Sequence, residues 1–216
     1  MTFSDRSVGD PGALDAAVAC VRSGGLLVHP TTGVYGIGGL PGGGREAEVE
    51  RLKGRAGGPG IVHLVFDVAA VRRSFPGAAW PTAADRLAAA FWPGPLTLVL
   101  PDGSPHGVAV RAEAHPVTRR VLEALNGALG SSSLNLSGEA PASDEASARR
   151  VLSAMPLAEV DVLLLAAGPL PGPPPSTLVR VTDDAPDRRP GWEILREGAV
   201  SAAAVREALT APEVRS

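Results

Sequence analysis

The chain has 216 residues, of which 44% are hydrophobic and 20% are charged, a balance typical of a folded domain and not of a disordered chain. Its formal net charge of −3 provides no overall attraction to nucleic acid or to an anionic membrane, so any anion site must be built locally. The length suits one α/β domain over residues 1–216 and is too short for two ordinary domains.

The sequence predicts a cytoplasmic protein without a membrane segment. No stretch approaches the roughly 18 consecutive apolar residues of a membrane helix. The N-terminal residues lack the basic and apolar regions of a secretion signal. Cys20 is the only cysteine, so no internal disulfide can form, as expected in a reducing compartment. Its place in the apolar run AAVAC indicates a thiol in the core.

Hydrophobic periodicity and the positions of Gly and Pro divide the chain into helices and strands. Helices are predicted at residues 14–22, 46–53, 83–91, 116–125, 143–154 (with a serine cap) and 201–209. Strands are predicted at residues 26–29, 61–66, 96–100, 108–111, 129–133, 160–165, 177–181 and 193–196. Residues 31–44 form a long glycine-rich loop in this prediction, and residues 169–175, PLPGPPP, a stiff connector.

Several predicted strands follow one another without an intervening helix. Strict βαβ alternation is therefore absent, and the pattern predicts an α/β fold with a twisted mixed β-sheet flanked by helices.

Common catalytic motifs are missing from the sequence. The run GIGGLPGGG has Pro41 where a dinucleotide-binding fingerprint needs its third glycine, and Lys53 is followed by Gly-Arg where a Walker A motif needs Ser or Thr. There is no G-x-S-x-G sequence, and a single cysteine excludes a thiolate metal cluster. What remains is an anion site made of backbone and basic side chains.

Lys53 is the only lysine among the 20 basic residues. Since arginine replaces lysine everywhere else, its retention points to a position that needs a compact ammonium group. Chance retention on a solvated surface is the alternative, and this pattern alone leaves both open.

A series of short motifs resembles the YrdC/Sua5 family over about residues 24–209. The sequence Pro30-Thr31-Thr32-Gly33-Val34-Tyr35-Gly36 is similar to the family's P-T-[DE]-T-V-Y-G, and Trp92 to Thr97 matches W-P-G-P-L-T. The other matches are Lys53-Gly54-Arg55 with Pro59 and His63, Val108-Ala109-Val110-Arg111 with His115-Pro116, Ser133-Leu134-Asn135-Leu136-Ser137-Gly138, Ser176-Thr177, and Leu195-Arg196-x-Gly198.

The resemblance implies a large open cavity over the twisted sheet. It also implies a nucleotidyltransferase that converts L-threonine, bicarbonate and ATP, the last as its Mg²⁺ complex, to threonylcarbamoyl-AMP and pyrophosphate. Formation of that product is the first step toward threonylcarbamoyladenosine in tRNA. The resemblance therefore also implies a partner protein of tRNA modification. Neither a protein-held metal nor strong direct binding to nucleic acid is expected.

Lys53 and Arg55, two residues apart, could converge on a polyphosphate as a point charge and a planar fork, and Arg196 would add a third cation. Lys53 and Arg55 are the catalytic candidates, and all three residues are nucleotide-binding candidates. The competing interpretation of K-G-R is a solvated helix end, where cations suit the helix dipole.

The remaining candidates surround this cluster. Ser133 and Asn135 follow a strand end and suit a nucleotide, although an ordinary polar turn has the same composition. Arg111 suits an amino-acid carboxylate, with a structural arginine as the alternative. The resemblance implies substrate contacts for Thr31, His63, Ser131 and Ser176, while a strand histidine such as His63 is otherwise more often a core residue.

Small polar groups of the family pattern are missing from this chain. Gly33 stands where the family pattern P-T-[DE]-T has its second Thr, and Thr32 stands where it has the acidic residue. Glycines also occupy positions 58 and 107, and Leu134 stands where the family has the Ala of S-A-N. Either backbone or water supplies the lost hydrogen bonds, or the chain is a paralogue that makes a carbamoyl- or other acyl-adenylate on a different amine. An RNA-binding module and a catalytically silent nucleotide sensor are the non-enzymatic alternatives; the acidic charge and the single Tyr oppose the former.

Overall fold

The computed structural model describes residues 3–54, 60–157, 160–172, 174–182 and 191–210. Its strands are β1 Ser4–Ser7, β2 Leu26–Pro30, β3 Tyr35–Gly38, β4 Val62–Val65, β5 Leu96–Leu100, β6 Val108–Ala112, β7 Leu129–Ser133, β8 Val162–Ala166, β9 Thr177–Val181 and β10 Trp192–Arg196. Its helices are α1 Ala13–Arg22, α2 Arg45–Leu52, α3 Val68–Ser74, α4 Thr82–Phe91, α5 Pro116–Leu125, α6 Glu145–Ala154 and α7 Ala202–Thr210.

The strands of the described ranges form one ten-stranded sheet in the order β1-β8-β2-β3-β7-β4-β6-β5-β9-β10. Four pairs are parallel (β1 with β8, β8 with β2, β4 with β6, β5 with β9), and the other five are antiparallel. The predicted mixed α/β sheet is confirmed. None of the helices in the described ranges is long and apolar enough to cross a membrane.

Strand β3 lies inside the segment that the sequence analysis assigned to a long loop, and that assignment is wrong. Strand β3 was missed because its glycines hide the strand pattern. A Cβ atom on Gly38 would lie 1.6 Å from the carbonyl oxygen of Gly130, so only glycine allows β3 and β7 to approach each other there.

Two further elements, β1 and α3, were not predicted. All four residues of β1 are exposed, so the strand carries no buried apolar face. Helix α3 is short, and its start is fixed by Asp67, whose carboxylate accepts a hydrogen bond from the Ala70 N–H at 2.7 Å. Helix α6 is capped by Asp144 in a capping box with Ser147, and not by the predicted serine.

Helices cover the two faces of the sheet unequally. Helices α2 and α6 pack on one face through Leu26, Val28 and Ile37. On the opposite face, α1 and α5 pack against Leu27, Leu64 and Leu129 of β2, β4 and β7. Helices α3, α4 and α7 cover one face of β4, β5, β6 and β9. The candidate site lies on the other face of β4 and β6 and extends to β3 and β7.

Candidate functional site

Two adjoining hollows lie beside β3, β4, β6 and β7. The polar hollow has a volume of about 190 Å³ and is lined by Thr31, Val34, Tyr35, Gly36, Gly60, Val62, Leu64, Arg111, Ser131, Ser132, Ser133, Pro175, Ser176 and Arg196. The proline-walled hollow has a volume of about 590 Å³ and shares six of these residues, adding Thr32, Gly33, Pro95, Pro141, Pro171, Gly172, Pro174 and Ala199. The proline-walled hollow lies within the range of about 300–1,000 Å³ that is usual for sites of nucleotide- or drug-sized ligands, and the polar hollow lies below it.

Strand register brings residues distant in sequence onto the floor of the polar hollow. Ser131 pairs with Val62 across β7 and β4, and Arg111 pairs with Leu64 across β6 and β4. Because side chains alternate between the faces of a strand, these four side chains point to the same side of the sheet. Ser133, two residues beyond Ser131, joins them opposite Gly36 of β3.

Three cationic side chains lie at or beside this floor. Arg111 is largely buried, and its Nη2 donates to a carboxylate oxygen of Glu113 at 2.6 Å, while its buried Nε has no hydrogen-bond partner. Arg196 is exposed on the last strand and donates through Nη2 to the Ser176 carbonyl at 3.0 Å. Lys53 is only 1% exposed and reaches the end of β7 from the opposite face of the sheet.

Lys53 is held in place by the strand that carries the serines. Its ammonium group donates to Ser132 Oγ at 2.7 Å and to the Ser133 carbonyl at 2.5 Å. The Ser133 hydroxyl lies 3.4 Å from the same nitrogen. The only lysine of the chain is therefore a buried charge at the rim of the polar hollow, and the solvated-surface alternative is excluded.

Glu113 anchors the wall of both hollows although it was not singled out from the sequence. Its fully buried Oε1 accepts hydrogen bonds from the N–H and hydroxyl of Thr32 and from the N–H groups of Ala114 and His115. Desolvation raises the pKa of Glu113, but the charge of Arg111 and the bonds from His115 and Thr32 outweigh it, so the pKa is lowered overall. The carboxylate is thus ionised and fixes both the Thr31–Gly33 segment and Arg111.

The hydroxyl groups of the floor are each connected to a second polar group. Thr31 Oγ1 donates to the Val34 carbonyl at 2.6 Å, and Ser176 Oγ lies 2.8 Å from Thr97 Oγ1. Ser131 Oγ lies 3.1 Å from Nε2 of His29, a side chain with no exposed surface. Burial lowers the pKa of His29 to about 4, so the imidazole is neutral near pH 7.

Asn135 and His63 occupy other places than the sequence analysis expected. Asn135 is buried and lines neither hollow: its Oδ1 accepts from Ser133 Oγ at 2.7 Å, and its Nδ2 donates to the carbonyls of Leu136 and Glu139. It shapes the loop after β7. Arg55 and Gly58 lie outside the described residues.

His63 does not line the polar hollow. It pairs with Val110 across β6, and this register puts its side chain on the face opposite to Arg111. Its ring packs against Phe75 with the ring centroids 4.7 Å apart. Strand alternation directs His63 toward α3, and a substrate contact for His63 stays a prediction.

Thr31, Arg111, Ser131, Ser133, Ser176 and Arg196 are brought together around the polar hollow, with Lys53 bonded at its rim. The residues missed from the sequence are Glu113, His29 and Ser132. The sequence signal for His29 was its place at the end of a predicted buried strand, just before Pro30. A polar side chain in such a strand needs a polar partner.

These features define an α/β protein with a cavity rich in cations and hydroxyls on one face of a mixed sheet. The family model for Sua5/YciO/YrdC, described as Telomere recombination, matches residues 19–198. The chain belongs to this family.

Individual relatives agree with the family assignment. The chain is 38% identical over 141 residues to a threonylcarbamoyl-AMP synthase of Stenotrophomonas maltophilia, covering 60% of this chain and 75% of the relative. Its fold is similar to E. coli YciO (TM-score 0.74, 23% identity, 94% of this chain and 98% of that one). It is also similar to P. abyssi Sua5 complexed with L-threonine (TM-score 0.76, 21% identity, 97% of this chain). The chain spans 61% of the length of that P. abyssi protein.

Proposed function

We propose that this chain is a threonylcarbamoyl-AMP synthase that joins L-threonine, bicarbonate and ATP and releases pyrophosphate. The observation that carries the proposal is the cavity in which Arg111, Arg196 and the serines of β7 meet, with the Lys53 ammonium bonded at its rim. Relatives at 36–38% identity are named for this activity, and a similar solved structure contains L-threonine.

The reaction needs alignment and charge stabilisation more than a protein nucleophile. The threonine amine and bicarbonate give a carbamate with loss of water, and a carbamate oxygen then attacks the α-phosphorus of ATP. The bond from the α-phosphorus to the bridging oxygen breaks, and pyrophosphate leaves. Cations aimed at the phosphate oxygens lower the barrier because they meet charge that develops during this step.

In this proposal Arg196 and Lys53 serve the phosphates, and Arg55 is a third candidate. Arg111 takes the amino-acid carboxylate through the part of its guanidinium that lines the polar hollow. Thr31, Ser131 and Ser176 offer hydroxyls to the substrates. Ser133, whose hydroxyl is bonded to Asn135, contributes to the nucleotide side of the cavity.

Mg²⁺ enters in this proposal as part of the MgATP substrate. The described residues contain no group of three or more His, Cys, Asp or Glu side chains that could hold a metal ion. Glu113, the acid in the cavity wall, is committed to five hydrogen-bond donors. The metal would therefore be held by phosphate oxygens and water.

The biological setting is the first step of tRNA threonylcarbamoyladenosine formation in the cytoplasm, with a partner protein that passes the adenylate on to tRNA. The adenylate is a labile mixed anhydride, which favours transfer to a partner over free diffusion.

The decisive experiment measures pyrophosphate release from ATP and bicarbonate with L-threonine, and weighs the AMP adduct by mass spectrometry. Threonine-dependent release with an adduct of the mass of threonylcarbamoyl-AMP supports the proposal. Arg196→Gln should abolish most of the release, whereas Arg180→Gln, an exposed arginine paired with Glu193 outside both hollows, should retain it. Release that ignores the added amine would contradict the proposal.

A second candidate, adenylation of a different carbamoylated amine, is favoured by the packing around Gly33. The Gly172 N–H donates to the Gly33 carbonyl at 2.8 Å, and a Cβ on Gly33 would lie 3.0 Å from the Gly172 oxygen. Position 33 thus offers no hydroxyl and faces the proline-walled hollow. Replacing threonine by L-valine in the assay, which exchanges one hydroxyl for a methyl, separates the candidates: comparable kcat/KM with valine would favour the paralogue.

A further inference from the structure

A buried histidine that the proposed reaction does not use lies behind the floor of the polar hollow. His29 is the residue before Pro30 in β2, it has no exposed surface, and its Nε2 lies 3.1 Å from Ser131 Oγ. Ser131 itself lines the polar hollow, so the histidine lies one hydrogen bond behind the cavity wall.

The neighbouring strand leaves room for this pair. A Cβ on Gly36 would lie 2.6 Å from Ser131 Oγ and 2.9 Å from Cε1 of His29. Distances under 3.0 Å to either atom would force the pair apart. Glycine at position 36 therefore allows His29 and Ser131 to meet beneath β3.

The hydrogen-bond inventory of His29 indicates which ring nitrogen carries the proton. Nδ1 is buried and has no hydrogen-bond partner of good geometry. The Pro30 carbonyl is near enough to raise the pKa of His29, but it makes no hydrogen bond of good geometry to Nδ1 and accepts the Thr118 hydroxyl at 2.5 Å. An orphaned buried N–H is rarer than an orphaned acceptor, so the proton belongs on Nε2, where it has a partner.

With Nε2–H donating, Ser131 Oγ is the acceptor and keeps its own proton free for another bond. Because Ser131 lines the polar hollow, that proton can point into the hollow. Arg111 lines the same hollow, two strand positions away across β4. A hydroxyl whose oxygen already accepts one bond is a stronger donor to an anion.

We propose that His29 is a positioning residue that holds Ser131 so that its hydroxyl donates to an anionic oxygen of the amino-acid substrate, next to Arg111. The inference rests on the proposed function for the identity of the ligand. The direction of the His29–Ser131 bond does not depend on it.

The first test reads the tautomer directly in the free protein. Long-range ¹H–¹⁵N correlation spectra of ¹⁵N-histidine protein near pH 7 should show His29 protonated on Nε2 and bare on Nδ1, with assignment by the His29→Gln variant. A proton on Nδ1 overturns the inference whether or not the protein is an enzyme.

The second test compares two substitutions at position 29 in the pyrophosphate-release assay. His29→Leu removes the donor, and we expect kcat/KM for the amino acid to fall roughly tenfold, mainly through KM, with KM for ATP unchanged. His29→Gln can place an amide N–H near the position of Nε2 and should restore kcat/KM to within about threefold. A structural role would not give this split between the two substrates.

Ser131→Ala completes the cycle. If His29 acts through Ser131, the double variant His29→Leu/Ser131→Ala loses no more than Ser131→Ala alone. Additive losses, or a His29→Leu enzyme with the wild-type kcat/KM, overturn the inference. Absence of turnover with every amine in the wild-type protein would instead count against the proposed function, and the spectra would still decide the tautomer.

Discussion

Thr32 and Glu113 lie 81 positions apart in sequence and share two hydrogen bonds on one carboxylate oxygen, from the Thr32 N–H at 3.1 Å and from its hydroxyl at 2.9 Å. In the motif P-T-[DE]-T-V-Y-G the acidic group belongs to the residue at position 32. Here the acid comes from the end of β6 instead and reaches the same segment from outside.

Glu113→Gln tests this relationship. The change leaves the Arg111 guanidinium without its counter-ion, so we expect a loss of about 2–3 kcal/mol in the free energy of unfolding. KM for the amino acid should rise about tenfold because Arg111 and Thr31 lose their fixed positions. Urea titration and steady-state assays measure the two effects.

Thr32→Val is the matched control for Glu113→Gln. It removes one of the bonds to Glu113 while keeping the N–H and the shape, so it should cost about 1 kcal/mol. Equal losses from both variants would show that the charge of Glu113 contributes nothing beyond a neutral acceptor.

The arginine of the last strand is expected to act in catalysis and not in folding. Arg196→Gln removes an exposed cation, so unfolding should shift by less than about 0.5 kcal/mol. Pyrophosphate release should fall by about 10²-fold or more if the charge meets the phosphates. Thermal unfolding and the release assay together check the prediction, and a variant with normal turnover would remove Arg196 from the site.

Lys53→Met should behave differently because the ammonium group is buried. Its loss leaves Ser132 Oγ and the Ser133 carbonyl without this donor, and we expect about 1–3 kcal/mol of destabilisation in addition to the loss of turnover. Comparing the unfolding midpoints of Lys53→Met and Arg196→Gln tests whether the two cations differ in this way. Equal midpoints would contradict the buried placement.

Acid stability should report the neutral state of His29. Its pKa is lowered to about 4 in the folded protein, against about 6.5 when unfolded. Between these values the unfolded chain binds more protons, so stability is complete above about pH 7 and falls as the pH decreases. The loss between pH 7 and pH 5 amounts to about 2 kcal/mol.

The matched measurement is the same pH series on His29→Leu, which lacks the titrating group. Glu113, Arg111 and His115 are the charged or titratable groups near His29, and they are unchanged in the variant. The difference in the free energy of unfolding between the wild type and His29→Leu should therefore narrow by about 2 kcal/mol from pH 7 to pH 5. Parallel stability curves would show that His29 does not titrate as stated.

The close approach of β3 and β7 predicts the effect of a single methyl group. Gly38→Ala would put a Cβ 1.6 Å from the Gly130 oxygen, and since both partners are backbone, we expect a loss above about 3 kcal/mol. Gly77→Ala, where no atom lies within 4 Å, should change the unfolding free energy by less than about 1 kcal/mol. Denaturant titration of both variants decides the matter.

The strands and helices with a clear apolar period were predictable from the sequence, and β5, β7 and β9 occur at the predicted bounds. Strand β3 was not predictable, because its Gly38 is required only by the close approach of β7. The site residues Arg111, Ser131 and Arg196 could be named from short motifs. Their connections to Glu113 and His29 could not, because hydrogen bonds across 81 and 102 positions depend on sheet order. That the whole chain forms one domain stays a prediction.

The half-covered sheet has a consequence for how substrates and the fold depend on each other. Strands β4 and β6 have α3, α4 and α7 on one face, and the two hollows open on the other. A nucleotide and an amino acid that bind there would cover the strands and loops that line the hollows. Their binding free energy is then added to the cohesion of this half of the molecule.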